Sequence, residues 1–391
     1  MQNRLKDFAL HRTQTELASK QQDYGFKYNP HSWLQDVGLN VQAMDIIAFD
    51  VMHCWCQGGV WEIELEAFMN ELSKHGHGGR QLHLYVHQFV WPKAYATGRD
   101  ICKGSVQDRA VNKDVRPSGA ASEFMSAAPA VRKWVEDVVG KKGLCPAHVA
   151  SLLRCLDVLD LLSQVHTGRV TPNLLSDAIA IHYAAHVVAY SYTLFVPKHH
   201  YMMHIPDQLA RFKMLVMCYV HERKHKIVKR YAVPLCPSKR NNRSLLEEVT
   251  LAHLNSLQEP LLKPSLLETV KASPDVVAAL QDYGFASAET ALTGSTARVQ
   301  SRSIMVGDVV VYRDGESENT LVGEIYWLAS INGELLVCVS AWQIKTNLGR
   351  YRRVLVEENF SIIPAVRLLQ AMIYTPTEVG SIATVIMPAL Y

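Results

Sequence analysis

The sequence predicts an α+β fold that is predominantly helical and ends in a small antiparallel β-barrel. Residues 127–196 contain three blocks of helical pattern, whereas short runs of β-branched and aromatic residues divided by Gly, Asn and Asp follow residue 304. The composition, 48% hydrophobic and 20% charged, is that of a folded globular protein. At 391 residues the chain is long enough for two or three structural units.

The N-terminal region is expected to begin with a helix. Residues 3–22 alternate charged residues with Ala and Leu, and Asn29 and Pro30 then break the helical pattern. The run Val41 to Val51 is short and apolar, which predicts a buried strand that delivers Asp50 at its tip. The next segment, Val60 to Lys74, has apolar residues at helical spacing.

The middle of the chain is expected to be all helical. Pro146 and Pro172 lie near two predicted helix starts, where the missing N–H is harmless. A long helix from Pro206 to Tyr231 is expected to carry a basic cluster. The predicted helices of this region span about 129–140, 146–166, 172–196, 206–231, 244–257 and 274–283.

The C-terminal region changes character. Residues 284–303 are small, polar and aperiodic, which predicts a linker. Four strand-like runs then occupy residues 308–312, 322–327, 335–339 and 382–386. They predict a small antiparallel barrel over 304–391 that loosely resembles the SH3-like or BAH barrels of chromatin proteins. The resemblance implies a protein or chromatin partner for the barrel.

The cysteine pattern and the hydropathy of the sequence indicate the cellular compartment of the protein. The eight cysteines form no CxxC pair, so we expect a reducing, intracellular environment and no cysteine-based zinc site. The longest uncharged run, Ala178 to Pro197, contains His182 and His186, which favours a buried helix over a membrane span. These histidines are four residues apart, and with His199, His200 and His204 they are candidate metal ligands, although core packing is the preferred interpretation.

Basic charge is concentrated in one segment. Between Lys198 and Arg243 there are eleven Lys or Arg and two acids, Asp207 and Glu222, in a chain whose overall formal charge is only +3. A helix with this density of Lys and Arg presents either a solvated basic face or a surface that contacts DNA phosphates. The candidate DNA-binding residues are Lys213, Arg223, Lys224, Lys226, Lys229 and Arg230.

The same segment contains an HExxH string. Two histidines one helical turn apart, His221 and His225, could hold zinc while Glu222 activates its water. The two intervening positions are normally uncharged in such sites, because a cation is repelled by the metal; here they are Arg223 and Lys224. A zinc-dependent hydrolase therefore stays an alternative.

Two segments together resemble a known family. Phe49-Asp50-Val-Met-His53, followed by Gly58-Gly59-Val-Trp61, resembles the Asp-x-x-His segment that follows the second catalytic aspartate of CACTA-type and related transposases of the RNase H-like superfamily. The stretch Pro197-Lys-His-His-Tyr-Met-Met-His204, continued by residues 221–225, is similar to the segment that supplies the third catalytic acid. A helical insertion lies between them in that family.

The resemblance implies roles for individual residues. Asp50 would match the second metal-binding carboxylate, Glu222 the third, and His53 the histidine of the Asp-x-x-His motif. The cofactor would be Mg²⁺ or Mn²⁺, because two such ions held by carboxylate oxygens activate the attacking oxygen and stabilise the leaving one. Basic residues around Glu222 would hold the DNA backbone.

One feature of the sequence departs from the family. Only 49 residues precede Asp50, and the first 22 look helical, so the strand that carries the first catalytic aspartate is expected to be missing, as in a gene model truncated at its 5′ end. We therefore expect a transposase-derived DNA-binding protein that is inactive as a nuclease or strand transferase. A non-enzymatic protein-interaction scaffold is a further alternative.

The predicted organisation has five parts, and the expected location is nuclear with a possible homo-oligomer. The parts are a partial RNase H-like core with Asp50 (1–126), an all-α insertion (127–204), the basic helix with Glu222 and the helices after it (205–283), a linker (284–303) and the barrel (304–391).

Overall fold

The computed structural model describes residues 9–10, 13–24, 29, 48–104, 117–217, 247–251, 254, 263–299, 302–315, 319–376 and 381–387. The chain divides into two units, Met1–Phe49 and Asp50–Tyr391. In the first unit, helix α1 spans Gln14–Tyr24. Thr13 and Glu16 form a capping box there: the Thr13 N–H donates to Glu16 Oε2 at 2.9 Å, and the Glu16 N–H donates to Thr13 Oγ1 at 3.3 Å.

The second unit begins with helices around an aromatic core. A π-helical turn, Met52–Cys56, is followed by α2 Val60–Ser73, α3 Gly79–Val86, α4 Ala121–Trp134, α5 Pro146–Gln164, α6 Pro172–Tyr190, α7 Pro197–Met202 and α8 Ile205–Phe212. Each helix from α5 to α8 has proline in its first turn, as predicted for α5 and α6. Helix α5 packs against α2 and α6. The largest fully buried side chains include Trp55, Trp61, Phe68, Phe124 and Trp134.

Strands dominate after residue 263. One further helix, α9 Pro274–Asp282, lies among them. The strands are β1 Ser265–Leu266, β2 Val270–Lys271, β3 Leu292–Gly294, β4 Thr296–Val299, β5 Arg302–Met305, β6 Val309–Arg313, β7 Thr320–Ile331, β8 Glu334–Asn347, β9 Tyr351–Leu355, β10 Phe360–Pro364, β11 Leu368–Ala371, β12 Ile373–Thr375 and β13 Ile382–Ile386.

The larger sheet curls into an antiparallel half-barrel. Its strand order is β11-β6-β7-β8-β9-β13-β12, with β10 paired to β8 and β3 paired to β7. The first and last strands of this sheet, β11 and β12, are consecutive in the chain, and only Met372 separates them. The Met372 N–H donates to the Val309 carbonyl at 2.7 Å, so this stretch stays bound to β6 while its second half pairs with β13. Val310, Val337, Val339 and Leu328 lie in the enclosed core.

The α+β class and the antiparallel C-terminal sheet are confirmed, but helix does not predominate, since about half of the described structure is helical. The predicted linker was wrong: residues 284–303 include a short 3₁₀ turn, β3 and β4, and the start of β5. These strands are short and small or polar in sequence; β3 pairs with the distant β7, and β4 forms a hairpin with β5. Local pattern therefore could not reveal them.

The described residues do not confirm an RNase H-like core, which stays a prediction. Residues 41–47 of the predicted strand lie outside the described residues, and residues 48–50 are not in a strand. Asp50 stands instead at the start of a helical turn, because its carboxylate accepts the first free backbone N–H groups of that turn.

Candidate functional site

Asp50 begins the π-helical turn and caps it. Its Oδ1 accepts the Met52 N–H at 3.3 Å, and its Oδ2 accepts the His53 N–H at 3.3 Å, as at a helix N-cap. Oδ2 also makes a close contact with His53 Nδ1. The turn itself closes with an i to i+5 bond from the Gln57 N–H to the Met52 carbonyl at 3.2 Å. Single π-turns occur frequently at functional sites.

The two glycines after this turn are required by its geometry. Gly58 has φ +56°, in the left-handed region that glycine enters without strain. A Cβ on Gly59 would lie 2.4 Å from the backbone carbon of Trp55, so any other residue would displace the turn. The Gly58 N–H donates to Glu62 Oε2 at 2.6 Å. These contacts hold the C-terminal end of the turn against the start of α2.

Charged groups of both signs surround the turn. Burial and the Asp50 carboxylate raise the pKa of Cys54, Lys198 lowers it, and the net pKa is about 11. The Lys198 ammonium donates to the Gln57 carbonyl at 3.3 Å. The structure thus brings α7, which belongs to the second family-like segment, against the turn that follows Asp50.

A backbone hydrogen bond joins the Asp50 region to the chain that leads to Glu222. The Val51 N–H donates to the Val216 carbonyl at 3.1 Å. Val216 precedes Glu222 by six positions in the sequence. The structure therefore brings Val216 against the turn that contains Asp50 and His53, and Glu222 lies outside the described residues.

Of the predicted DNA-binding residues, Lys213 is described, and it is exposed at the end of α8. Its φ of +58° and its N–H bond to the Leu209 carbonyl at 2.9 Å end the helix there. The prediction of one helix over 206–231 was therefore wrong, because this left-handed residue stops α8 at Phe212. The remaining predicted residues, which are His221, Arg223, Lys224, His225, Lys226, Lys229 and Arg230, lie outside the described residues.

A second polar cluster lies in the helical core. Glu64 of α2 and the α6 residues His182 and His186 are all 0% exposed. His186 Nδ1 lies 2.5 Å from Glu64 Oε2, and His182 Nε2 lies 3.5 Å from the same oxygen. The Ser151 hydroxyl of α5 donates to the other carboxylate oxygen at 2.5 Å. Three helices thus supply one buried group of polar atoms.

Electrostatics keep this carboxylate ionised. Burial raises the pKa of Glu64, but its contacts with His182 and His186 outweigh burial and bring the pKa to about 2. His199, whose ring centroid lies 5.2 Å from that of His186, has its pKa lowered to about 4, mainly by burial and also by the two neighbouring histidines. The site therefore combines a carboxylate anion with an imidazole that resists protonation.

The sequence pattern indicated two of the four polar side chains of this cluster, His182 and His186. His182 and His186 were paired from their spacing, which places them on one face of a helix. Glu64 was missed, although a signal existed: it lies between Trp61 and Phe68 on the apolar stripe of α2, where an unpaired acid would be costly. A charged residue on such a stripe indicates a buried partner.

Two other groups of possible ligands are partly exposed within the described residues. One contains Glu71, His75 and Cys145, and the other contains His83, His87 and Asp100. Exposed acids often lie near histidines without binding an ion. We therefore propose no metal site at either group.

No protein-family model and no curated protein matches this chain. A search of the described helices finds none both long and apolar enough to cross a membrane.

Proposed function

We propose that this chain is a transposase-derived DNA-binding protein in which Asp50 belongs to a phosphoryl-transfer centre. The observation that carries the proposal is the Val51 to Val216 hydrogen bond, which joins the two family-like segments. A chain advances at most about 3.3–3.6 Å per residue, so six residues allow Glu222 to reach Asp50. The proposal also assigns the protein to the nucleus, where its DNA partner is found.

The Asp50 carboxylate fits a hard divalent cation. It is half-buried, it is held in place by two backbone N–H groups, and it offers oxygen ligands. Asp50 and Glu222 would hold Mg²⁺ or Mn²⁺, which supplies activation of the attacking oxygen and stabilisation of the leaving oxygen. His53 positions the Asp50 carboxylate through their direct contact.

The basic segment supports the DNA-binding part of the proposal. It concentrates eleven Lys or Arg within residues 198–243, and Lys213, at its described end, is exposed. Each cation that neutralises a phosphate releases a condensed counterion, so binding weakens linearly in log salt with a slope of about 0.9 per contact.

The first test measures duplex-DNA affinity between about 50 and 200 mM salt. Changing Lys224, Lys226 and Arg230 to Glu should weaken binding strongly and reduce the salt slope by about 3, because three phosphate contacts are lost. The control variant carries the same charge change at Lys103, Lys142 and Arg169, three exposed residues of the helical part. Equal effects of the two triple variants would mean that net charge, and not this surface, determines binding, and undetectable DNA binding would refute the proposal.

The second test locates the cation. Fe²⁺ substituted for Mg²⁺ generates hydroxyl radicals with ascorbate and peroxide, and these cut the backbone near the metal ligands. We expect cuts near residues 50 and 222 that excess Mg²⁺ suppresses and that Asp50→Asn abolishes. Asp207→Asn, at an exposed acid of α8, serves as the control. Cuts near 222 that persist in Asp50→Asn would contradict a shared site and favour a metal held by His221 and His225.

A further inference from the structure

The buried cluster of Glu64, His182 and His186 has the composition of a metal site. Their ligand atoms all lie within 4.8 Å of one another, and all three residues are fully buried. His182 and His186 are one turn apart on α6 and face Glu64 on α2. The proposed DNA-binding function makes no use of this cluster.

Hydrogen bonds among the described residues do not provide a partner for every polar atom of this cluster. Within the part of the chain that the structure describes, His182 Nδ1, His182 Nε2 and His186 Nε2 have no hydrogen-bond partner. The contact of His182 Nε2 with Glu64, at 3.5 Å, is electrostatic. A buried polar atom without a partner destabilises the folded state, because it has lost its hydrogen bonds to water. A cation bound between the imidazoles and the carboxylate would use a nitrogen lone pair of His182 and compensate the buried charge.

We propose that Glu64, His182 and His186 bind a zinc ion that joins α2 to α6. Two imidazoles and one carboxylate are ligands that zinc accepts, and they lack the all-oxygen character that Mg²⁺ and Ca²⁺ require. Ser151 donates to the carboxylate oxygen that does not contact the histidines, an interaction that fixes the orientation of a ligating carboxylate.

The distances are close to those a tetrahedral site needs. Bonds of about 2.0–2.1 Å place neighbouring ligand atoms about 3.3 Å apart. The 3.5 Å separation of His182 Nε2 and Glu64 Oε2 already fits. The 2.5 Å separation of His186 Nδ1 and Glu64 Oε2 is a hydrogen-bond distance, which must lengthen by about 0.8 Å when the imidazole ligates zinc.

The experiment measures zinc in the purified full chain after dialysis against a weak chelator. We expect about one tightly held ion per chain, and X-ray absorption at the zinc edge should show nitrogen and oxygen neighbours at about 2.0–2.1 Å with no sulfur. Both measurements use the wild-type protein and need no variant. The X-ray absorption measurement also excludes the group that contains Cys145, since a thiolate ligand would appear as sulfur at about 2.3 Å.

Variants then assign the ligands. Changing His182 and His186 together to Asn should abolish zinc retention, whereas His166→Asn, at an exposed histidine of a 3₁₀ turn, should retain it. A variant with Asn at 221 and 225 should also retain zinc, which separates this site from the HExxH string. Less than one zinc per ten wild-type chains, sulfur at the zinc edge, or loss of zinc only in the 221 and 225 variant would overturn the proposal. DNA affinity is measured separately, so either proposal can fail alone.

Discussion

Glu64 is a carboxylate enclosed by the helical core, and its ionisation is tied to two imidazoles. Burial raises its pKa, and the contacts with His182 and His186 lower it from 4.5 to about 2. A carboxyl group whose pKa is lower in the folded state contributes stability above its unfolded pKa. That contribution is lost as pH falls through the window from about 4.5 to about 2.

Replacing Glu64 by Gln should remove this pH-dependent contribution. We expect the free energy of unfolding at pH 7 to fall by about 3 kcal/mol, since each pKa unit corresponds to about 1.4 kcal/mol. The stability of the variant should then vary less with pH between about 4.5 and 2. Urea unfolding with a chelator present at each pH measures both effects. Glu334→Gln, at the exposed first residue of β8, controls for the chemical change, and an unaltered pH profile in the Glu64→Gln variant would contradict the assignment.

At the scale of elements, an ion network fastens β9 to α4 and α5. Arg132, which is 6% exposed, contacts Asp157 at 3.0 Å and Asp160 at 3.1 Å. Arg350, just before β9, contacts Asp157 at 3.1 Å and makes a close pair with Asp160. Burial raises the pKa of Asp160, and the two arginines oppose that rise. Removing one partner therefore leaves a desolvated charge.

The cost of losing Arg132 should far exceed that of losing a surface arginine. Arg132→Ala is expected to destabilise the protein by about 3–5 kcal/mol, because it removes the buried cation of the network and leaves Asp157 and Asp160 to share Arg350. Arg154 contacts the same Asp157 at 3.2 Å but is 56% exposed, so Arg154→Ala should cost less than about 1 kcal/mol. Urea midpoints compare the two variants. Equal losses would show that the network adds nothing beyond a surface pair.

The elements that sequence predicted well are those whose signals are local. Prolines marked the starts of α5 and α6, and runs of β-branched and aromatic residues marked β6, β7 and β8. The strand β3 was missed because it pairs with the distant β7, and β4 was missed because its sequence is short and polar although it pairs with the adjacent β5. The early end of α8 was missed because the left-handed Lys213 carries no glycine signal. Glu64 was missed for the same reason as β3, since its partners lie more than 80 positions away.

At the scale of the molecule, the helical and sheet parts of Asp50–Tyr391 are joined near residues 90–93. The Asp308 carboxylate, 3% exposed, accepts the Lys93 N–H at 3.0 Å and the Met305 N–H at 2.8 Å. Val90 and Tyr374 exchange backbone hydrogen bonds of 2.8 and 3.2 Å. Both parts are therefore expected to unfold in one cooperative transition.

Asp308→Ala should weaken that cooperativity. Two partly buried N–H groups lose a charged acceptor, which costs about 2–4 kcal/mol. Asp314→Ala, in the exposed turn after β6, is the control. Amide hydrogen exchange along a urea titration, resolved for helices α2 to α6 and for strands β6 to β8, reports the unfolding of the two parts separately. Coincident wild-type transitions that separate in Asp308→Ala are the expected result, and separate transitions already in the wild type would contradict the coupling.

The hydrogen bond between Val51 and Val216 means that the intervening helices leave the Asp50 region and return to it. The segment between residues 51 and 216 is thus a closed loop, and its two ends stay next to each other whatever its length. The entropy of closing such a loop changes slowly, by about 0.6 kcal/mol for each doubling of its length. Lengthening the exposed loops between these helices should therefore have a small thermodynamic cost, whereas the packed helices themselves must be kept because they bury the aromatic core.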